Sequence, residues 1–460
     1  VVQLATLLCA AFILFAFRRD ARERRAPSPA LWIPFVWFAL SVSKPITYWL
    51  YPGQFVAFSQ RLAFQQQRFE LVQNNPHERI LLTALIVLGL IALSRRWGKL
   101  VLRVKDNLWL SVFFLYGLVS VSWADYQGVA AKRWIRGAGD LLMVLLIVSD
   151  ADPEAALDRI LRRCAILLIP LSLLFAKFYP QMGRIYTVFG RQMWVGVTGH
   201  KNQLGLLCAF CGIFLVWRML KKWPSVDVLD GALIAVTMYL LIKANSQASM
   251  VVFLLGGIIL LIQRRAKTDA RKLARMLIAS LVALFLLQGV MIAVLNQSLS
   301  TVFFTAANRD VSLTGRVPLW KELVATGARR PLFGAGYSGF WSGDSVPDVW
   351  RKVGWTPTTG HNGYIDIFLD LGIAGLLIVL FFLIHTQKAI MASYGSHVNF
   401  ARLKFCFFVM VLFHNFAESS LGKANSLLWL LLMLSSLVYI RKAPDASAEP
   451  PRPGDPELTP

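Results

Sequence analysis

Charge is scarce in this sequence. Only 16% of its 460 residues are Asp, Glu, Lys or Arg, while 56% are hydrophobic. Soluble domains carry about 25% charged residues, so the balance excludes an ordinary soluble fold and points to a polytopic membrane protein. Acidic residues are the scarcer sign, 25 against 48 Lys and Arg, for a formal net charge of +23. In a soluble chain that excess would suggest nucleic acid. In a membrane chain positive charge first serves to orient helices, so no nucleic-acid partner is expected. The five cysteines are Cys9, Cys164, Cys208, Cys211 and Cys406, all in or beside apolar runs. Cys208 and Cys211 form a C-x-x-C without a second pair or a nearby histidine, which reads as small core residues of a helix. Phosphate-cradling glycine loops, nucleotide fingerprints, metal-ligand spacings and internal repeats are missing too. The expectation is chemistry without metal or other cofactor.

What is abundant is apolar sequence in runs of about 17–25 residues, the length that crosses a bilayer. The candidates are 1–17, 30–50, 79–94, 107–123, 134–149, 160–176, 202–219, 228–243, 248–263, 275–295, 363–386, 402–417 and 424–440. Run 1–17 reads as a first membrane helix rather than a signal peptide, because no basic segment precedes it and no small-residue cleavage site follows. The breaks alternate. One set is short and basic: Arg18–Arg25, Arg95–Lys105, Arg159–Arg163, Arg218–Lys222, Arg264–Arg275, Lys388–Lys404 and Arg441–Lys442. The positive-inside rule places these in the cytoplasm, together with the C-terminus. The tail 443–460, rich in proline and acidic residues, reads as disordered.

The other breaks, 51–78, 124–133, 177–201, 244–247, 296–362 and 418–423, then face outward. Two of them concentrate cations that insertion does not require. Break 177–201 holds Arg184, Arg191 and Lys201; break 296–362 holds Arg309, Arg316, Lys321, Arg329, Arg330, Arg351 and Lys352. Tryptophans and tyrosines are interleaved with them. An interfacial aromatic belt accounts for some of these residues, but not for arginine gathered in two loops.

Chemistry is expected at three places. Gly199-His200-Lys201-Asn202 stands at the mouth of a helix, below Arg184 and Arg191. Guanidinium forks suit phosphate oxygens, and helix N-termini favour anions. Thr314-Gly315-Arg316 precedes a surface helix over 317–327, and the glycines of Pro331-Leu332-Phe333-Gly334-Ala335-Gly336 mark a turn. Gly360-His361-Asn362-Gly363-Tyr364-Ile365-Asp366 ends the largest outer break and opens the apolar run 363–386. An unperturbed imidazole titrates near neutral pH, so His361 suits removal of a proton from a hydroxyl, with Asn362 and Asp366 placed to orient it. A weaker cluster, Lys132-Arg133-Trp134-Ile135-Arg136 with Asp140, suggests an intrahelical Arg136–Asp140 pair and a supporting role. His414, inside an apolar run, reads as a hydrogen-bonded core residue.

Together these pieces resemble the O-antigen ligase and Wzy-type polymerase family. The carrying residues are Gly199–Asn202, Thr314-Gly315-Arg316…Leu319-Trp320, Pro331–Gly336, and His361-Asn362-Gly363-Tyr364…Leu369-Asp370-Leu371-Gly372. Within the family, Asn75–Arg79 and Lys132–Arg136 resemble the bacterial exopolysaccharide polymerases of succinoglycan type. The likeness spans roughly residues 30–440.

The resemblance implies an all-α, GT-C-type inner-membrane fold with about 12–13 transmembrane helices and a large periplasmic loop. The expected organisation is 1–295 as membrane helices with short loops, 296–362 as the periplasmic catalytic loop, and 363–440 as the C-terminal membrane helices. The implied substrate is an oligosaccharide on undecaprenyl pyrophosphate. His361 is the expected base and Arg316 the stabiliser of leaving-group charge. Arg184, Arg191, His200, Lys201 and Asn202 are expected at the pyrophosphate, with Asn362, Tyr364, Asp366, Arg133 and Arg136 in support. A flippase and a chain-length regulator are the expected partners. Polymerisation of lipid-linked repeats is the expected activity. Transfer of the same donor to lipid A core is the near alternative, and transport of a lipid-linked glycan the remoter one.

Overall fold

A computed structural model describes residues 1–22, 28–50, 76–96, 107–186, 192–225, 227–265, 271–272, 275, 278–279 and 316–437. The protein is all-α and polytopic. Its helices are α1 (Val2–Ala21), α2 (Trp32–Val42), α3 (Ile46–Leu50), α4 (Pro76–Ser94), α5 (Leu108–Ser120), α6 (Gln127–Val148) and α7 (Pro153–Phe178). A short antiparallel hairpin follows, β1 (Arg184–Tyr186) and β2 (Gln192–Trp194), with Arg184 opposite Trp194. Then come α8 (Lys201–Lys222), α9 (Val228–Ala244), α10 (Gln247–Arg265), α11 (Arg316–Gly327), α12 (Val346–Val353), α13 (Gly363–Ser393), α14 (Val398–His414) and α15 (Leu427–Ser436). Among the described residues, α1, α4, α8, α10 and α13 are long and apolar enough to cross a membrane. Their exposed faces carry Leu4, Leu7 and Leu8 on α1, Val87, Leu88 and Ile91 on α4, and Leu377, Leu380 and Phe381 on α13. Apolar side chains left outside a packed core are the mark of lipid-facing helices. Run 275–295 lies almost wholly outside the described residues, as does the tail from 438.

Local chemistry sets the helix ends. Asp152 caps α7, accepting from Ala155 N, with Pro153 in the first turn. Asp227 caps α9 by accepting from Leu229 N, and Asn245 closes it in the left-handed conformation, φ +47°. Several expected boundaries move. Run 30–50 is divided, because Pro45 interrupts the backbone ladder and buried Lys44 turns its ammonium to the carbonyls of Met182 and Gly196. Helix α6 starts seven residues before the expected 134, which puts Arg133 on the helix together with Arg136. Arg159, Arg162 and Arg163, expected in a break, are buried inside α7. Helix α14 ends at His414 rather than 417, so the following connection is longer than expected.

Among the described residues, the two sets of breaks gather at opposite ends of the helices. At one end, Arg163 meets Asp20 at 2.8 Å, Arg162 meets Asp227 at 3.1 Å, and Arg218 meets Asp230 at 3.0 Å. There Trp217 Nε1 also donates to Asn399 O at 2.7 Å. At the other end, Arg330 pairs with Asp125 at 2.7 Å, and Tyr126 Oη donates to Asp344 at 2.9 Å. Lys44 N donates to Val197 O there at 2.8 Å.

The segment 316–362 has its own small core of Leu319, Leu323, Phe340, Val346 and Val349, closed against Leu369 of α13. It docks on the bundle at a break in that helix. Gly372 adopts φ +68° and ψ −164°, outside helical geometry. The backbone of 331–335 fills the gap: Ile373 N donates to Pro331 O at 2.8 Å, Ala374 N to Leu332 O at 3.1 Å, and Ala335 N to Leu369 O at 2.9 Å. A Cβ on Gly372 would sit 2.3 Å from Leu332 O, so glycine is required there for approach as well as for conformation. Two motifs read separately in the sequence, Pro331–Gly336 and Leu369–Gly372, are thus halves of one joint.

Candidate active site

The site is built on the connection between α14 and α15, residues 415–426. Asn415 organises it: Oδ1 accepts from Ser420 N, Ser420 Oγ and Leu421 N at 2.9–3.0 Å, while Nδ2 donates to Val411 O at 2.8 Å. Three further ties come from the bundle. Tyr337 Oη donates to Gly422 O at 3.0 Å, Asn425 N donates to Asp140 Oδ2 at 2.8 Å, and Lys423 pairs with Asp366. Backbone so pinned presents its side chains in fixed directions.

Glu418 is the side chain this connection presents. Its Oε2 lies 3.0 Å from His361 Nδ1. Its Oε1 accepts from Asn202 Nδ2 at 2.8 Å and from Arg316 Nη2 at 3.3 Å. Arg316 Nη1 also donates to Ala417 O at 2.6 Å. Burial works to raise the Glu418 pKa, but the hydrogen bond with His361 and the charges of His361 and Arg316 outweigh it and hold the carboxyl at about 2. An ionised carboxylate only accepts. The His361 Nδ1 therefore carries the proton, and in the neutral ring Nε2 keeps its lone pair. The side chains are part-exposed, 26% for His361, 23% for Arg316 and 18% for Glu418, so solutes reach them.

His361 sits in the left-handed region, φ +47°, which few non-glycine residues adopt, although His does so more often than most. Its neighbours enforce it. Trp320 Nε1 donates to Gly360 O at 2.8 Å, Gly360 N to Asp366 Oδ1 at 2.9 Å, and Asn362 N to Ser419 Oγ at 3.1 Å. Strain held by so many partners is typical of functional positions.

The structure reassigns several expected roles. Asn362 and Asp366 do not orient the imidazole. Asn362 Oδ1 caps α13, accepting from Tyr364 N and Ile365 N. Asp366 clamps the preceding loop through Gly360 N, Trp341 Nε1 and Lys423. Tyr364 ties α13 to α14 by donating to Leu412 O at 3.1 Å. The Arg136–Asp140 pair is not formed. Asp140 accepts from Trp37 Nε1 at 2.7 Å and from Asn425 N, while Arg136 lies within electrostatic range of Glu78. Arg133 holds the 338–342 turn through Ser338 O and Ser342 Oγ. His414 is buried, but neither ring nitrogen has a hydrogen-bond partner among the described residues.

Of the residues expected at an anion, Asn202 reaches the cluster directly. His200 caps α8, its Nδ1 accepting from Asn202 N at 3.2 Å. Lys201, beside it, makes no hydrogen bond or ion pair among the described residues. Arg184 is occupied in the hairpin. It donates to Ala176 O and to Gln192 Oε1, and its guanidinium lies over the Trp194 ring at 4.9 Å. Arg191 lies outside the described residues. Among the described residues no group of three or more His, Cys, Asp or Glu is placed to hold a metal ion.

Glu418 is the residue that sequence reasoning missed. Its signal was available: with acidic residues half as frequent as basic ones, a carboxylate in an outward break beside a candidate base asks for a role.

A family model described as O-antigen ligase matches residues 231–380, a stretch that contains Arg316 and His361 and stops short of Glu418. The exopolysaccharide production protein ExoQ of Rhizobium meliloti (strain 1021) is 24% identical over 295 residues. That match takes in 63% of this chain and 66% of ExoQ, slightly under two thirds of its length. Residues 231–380 are thus similar to the O-antigen ligase family, and the chain is similar to an exopolysaccharide production protein, in line with the family resemblance of its motifs.

Proposed function

We propose that this protein is a glycosyltransferase of the bacterial inner membrane that polymerises undecaprenyl-pyrophosphate-linked oligosaccharide repeats on the periplasmic side. The observation that carries the reading is the His361–Glu418–Arg316 cluster, in which one ionised carboxylate fixes both an imidazole and a guanidinium. His361 Nε2 accepts the proton of an acceptor sugar hydroxyl. The freed oxygen attacks the anomeric carbon of the donor, and the bond from that carbon to the pyrophosphate oxygen breaks. Undecaprenyl pyrophosphate leaves with the bonding electrons. Its growing charge is met by Arg316 and Lys201, with His200 next to Lys201 at the mouth of α8. Fixed cations of this kind supply the electrostatic stabilisation such transfers need, without calling on a metal. Glu418 keeps the imidazole in the reactive tautomer, as the acid of a catalytic triad does.

Both sides of the membrane assignment rest on charge. The end with Arg95, Arg96, Arg264 and Arg265 is the cytoplasmic one by the positive-inside rule, which leaves His361 facing the periplasm. A flippase delivering the donor and a chain-length regulator are the partners this topology calls for.

Transfer of the same donor to lipid A core is the second reading, and the description of the matching family model favours it. The ExoQ relative favours the polymerase. Purified full-length chain in lipid nanodiscs, given lipid-linked repeats alone, separates them. A ladder of lengthening glycans is the expected result. Transfer that occurs only after core lipid is added would establish the ligase, and no transfer with either acceptor would remove both, leaving a transporter.

A further inference from the structure

Four tryptophans lie in the segment 316–362, and three of them spend their indole N–H on the local backbone or a carboxylate. Trp320 donates to Gly360 O, Trp341 to Asp366 Oδ1 and Trp350 to Pro357 O, at 2.8–3.0 Å. All three pack against the small core of this segment. Trp355 differs on every count. Its N–H has no partner among the described residues, it is absent from that core, and the side chain is 40% exposed. It is nevertheless held in place. Gly354 ends α12 at φ +78°, with its N–H on Trp350 O at 3.0 Å, and the Trp350–Pro357 bond spans the loop on its other side. The ring it offers lies 5.9 Å from the His361 imidazole, centroid to centroid, at 34° between planes.

We propose that Trp355 is a stacking platform for a sugar ring of the acceptor glycan, which sets the hydroxyl to be deprotonated beside His361. The inference rests on the reading of His361 as the base. Pyranose rings have an apolar face of C–H groups. The electron-rich face of an indole attracts them, and its two-ring area suits them better than any aliphatic side chain. A free N–H at the ring edge adds a donor for a sugar oxygen. A ring serving only as a membrane-interface anchor has no reason to sit next to the base. A ring that positions the acceptor has to be one sugar away from it.

The test uses full-length chain in nanodiscs and lipid-free repeat oligosaccharide, released by mild acid from the host's own lipid-linked pool. Binding is followed by calorimetry. W355A should bind about tenfold more weakly, the loss of roughly 1.4 kcal/mol of contact, while W355F, which keeps an aromatic face but not the second ring or the N–H, should lose less. Equal affinity of W355A and wild type would overturn the proposal. So would quenching of the Trp355 signal, taken as wild type minus W355F, by brominated phosphatidylcholine in the nanodisc, which would make the ring a lipid anchor. Trp355-dependent binding without any extension of lipid-linked repeats would leave the platform standing and remove the transferase reading instead.

Discussion

The two ends of the helical bundle use the same residue types to opposite effect. At one end Arg19, Arg162, Arg163 and Arg218 face Asp20, Asp158, Asp227 and Asp230, and most of these side chains are buried. The charges there satisfy one another and lock α1, α7, α8 and α9 together. At the other end a single carboxylate, Glu418, serves Arg316, His361 and Asn202, with Lys201, unpaired among the described residues, next to Asn202 in sequence. That cluster is part-exposed, with one carboxylate facing both a guanidinium and an imidazole. A balanced, buried cluster holds a fold; an unbalanced, accessible one leaves positive charge for an anionic ligand.

Substitutions should divide along that line. The largest effect is expected for His361→Ala, a fall in glycan transfer of about a thousandfold or more, since general bases contribute about 10²–10⁴-fold. Its thermal midpoint should stay near wild type, as measured by scanning fluorimetry in detergent. Next comes the opposite end. Arg162→Ala strips a partner from Asp20, Asp227 and Asp230, and should lower stability by about 3–5 kcal/mol. Turnover per folded molecule should be unchanged. A loss of turnover without a loss of stability would erase the contrast between the two ends. Arg316→Lys keeps the charge but not the fork, and a roughly tenfold slower transfer is expected, read from initial rates.

The smallest effect is a matter of pH. The Glu418 carboxyl is held at about 2, below its ordinary 4.5, so its contribution to stability is complete above the ordinary value. It is lost as pH falls from there through 2. Thermal midpoints measured down that window should drop more steeply for wild type than for Glu418→Gln, which has no carboxyl to protonate there.

Much of this architecture was legible in the sequence, because a bilayer imposes a length on every apolar run. What escaped were features set by tertiary partners. Nothing in the run 363–386 announces a break at Gly372; it exists because the 331–335 backbone enters there and takes over the ladder. Arg159, Arg162 and Arg163 looked like a cytoplasmic break because hydropathy cannot see the aspartates, distant in sequence, that neutralise two of them inside α7. The i,i+4 spacing of Arg136 and Asp140 permitted a pair, but Trp37 and Asn425 offered the carboxylate better donors.

The site was half legible for a similar reason. His361, Arg316 and Asn202 stood out as polar groups at helix mouths on the arginine-rich side. Glu418 does not, because a lone acidic residue in an outward connection has no local partner in sequence, and because the apolar run continues past His414 to 417 and hides how long that connection is. The residue that joins the two loops belongs to neither.

The central claim is that Glu418 acts on the reaction through His361. A double-mutant cycle on glycan transfer tests it directly, with His361→Gln, Glu418→Gln and the two combined, each corrected for folded protein. If the carboxylate works by fixing the imidazole, the double variant transfers glycan no more slowly than His361→Gln alone. Losses that multiply in the double variant would show two independent contributions and contradict the account.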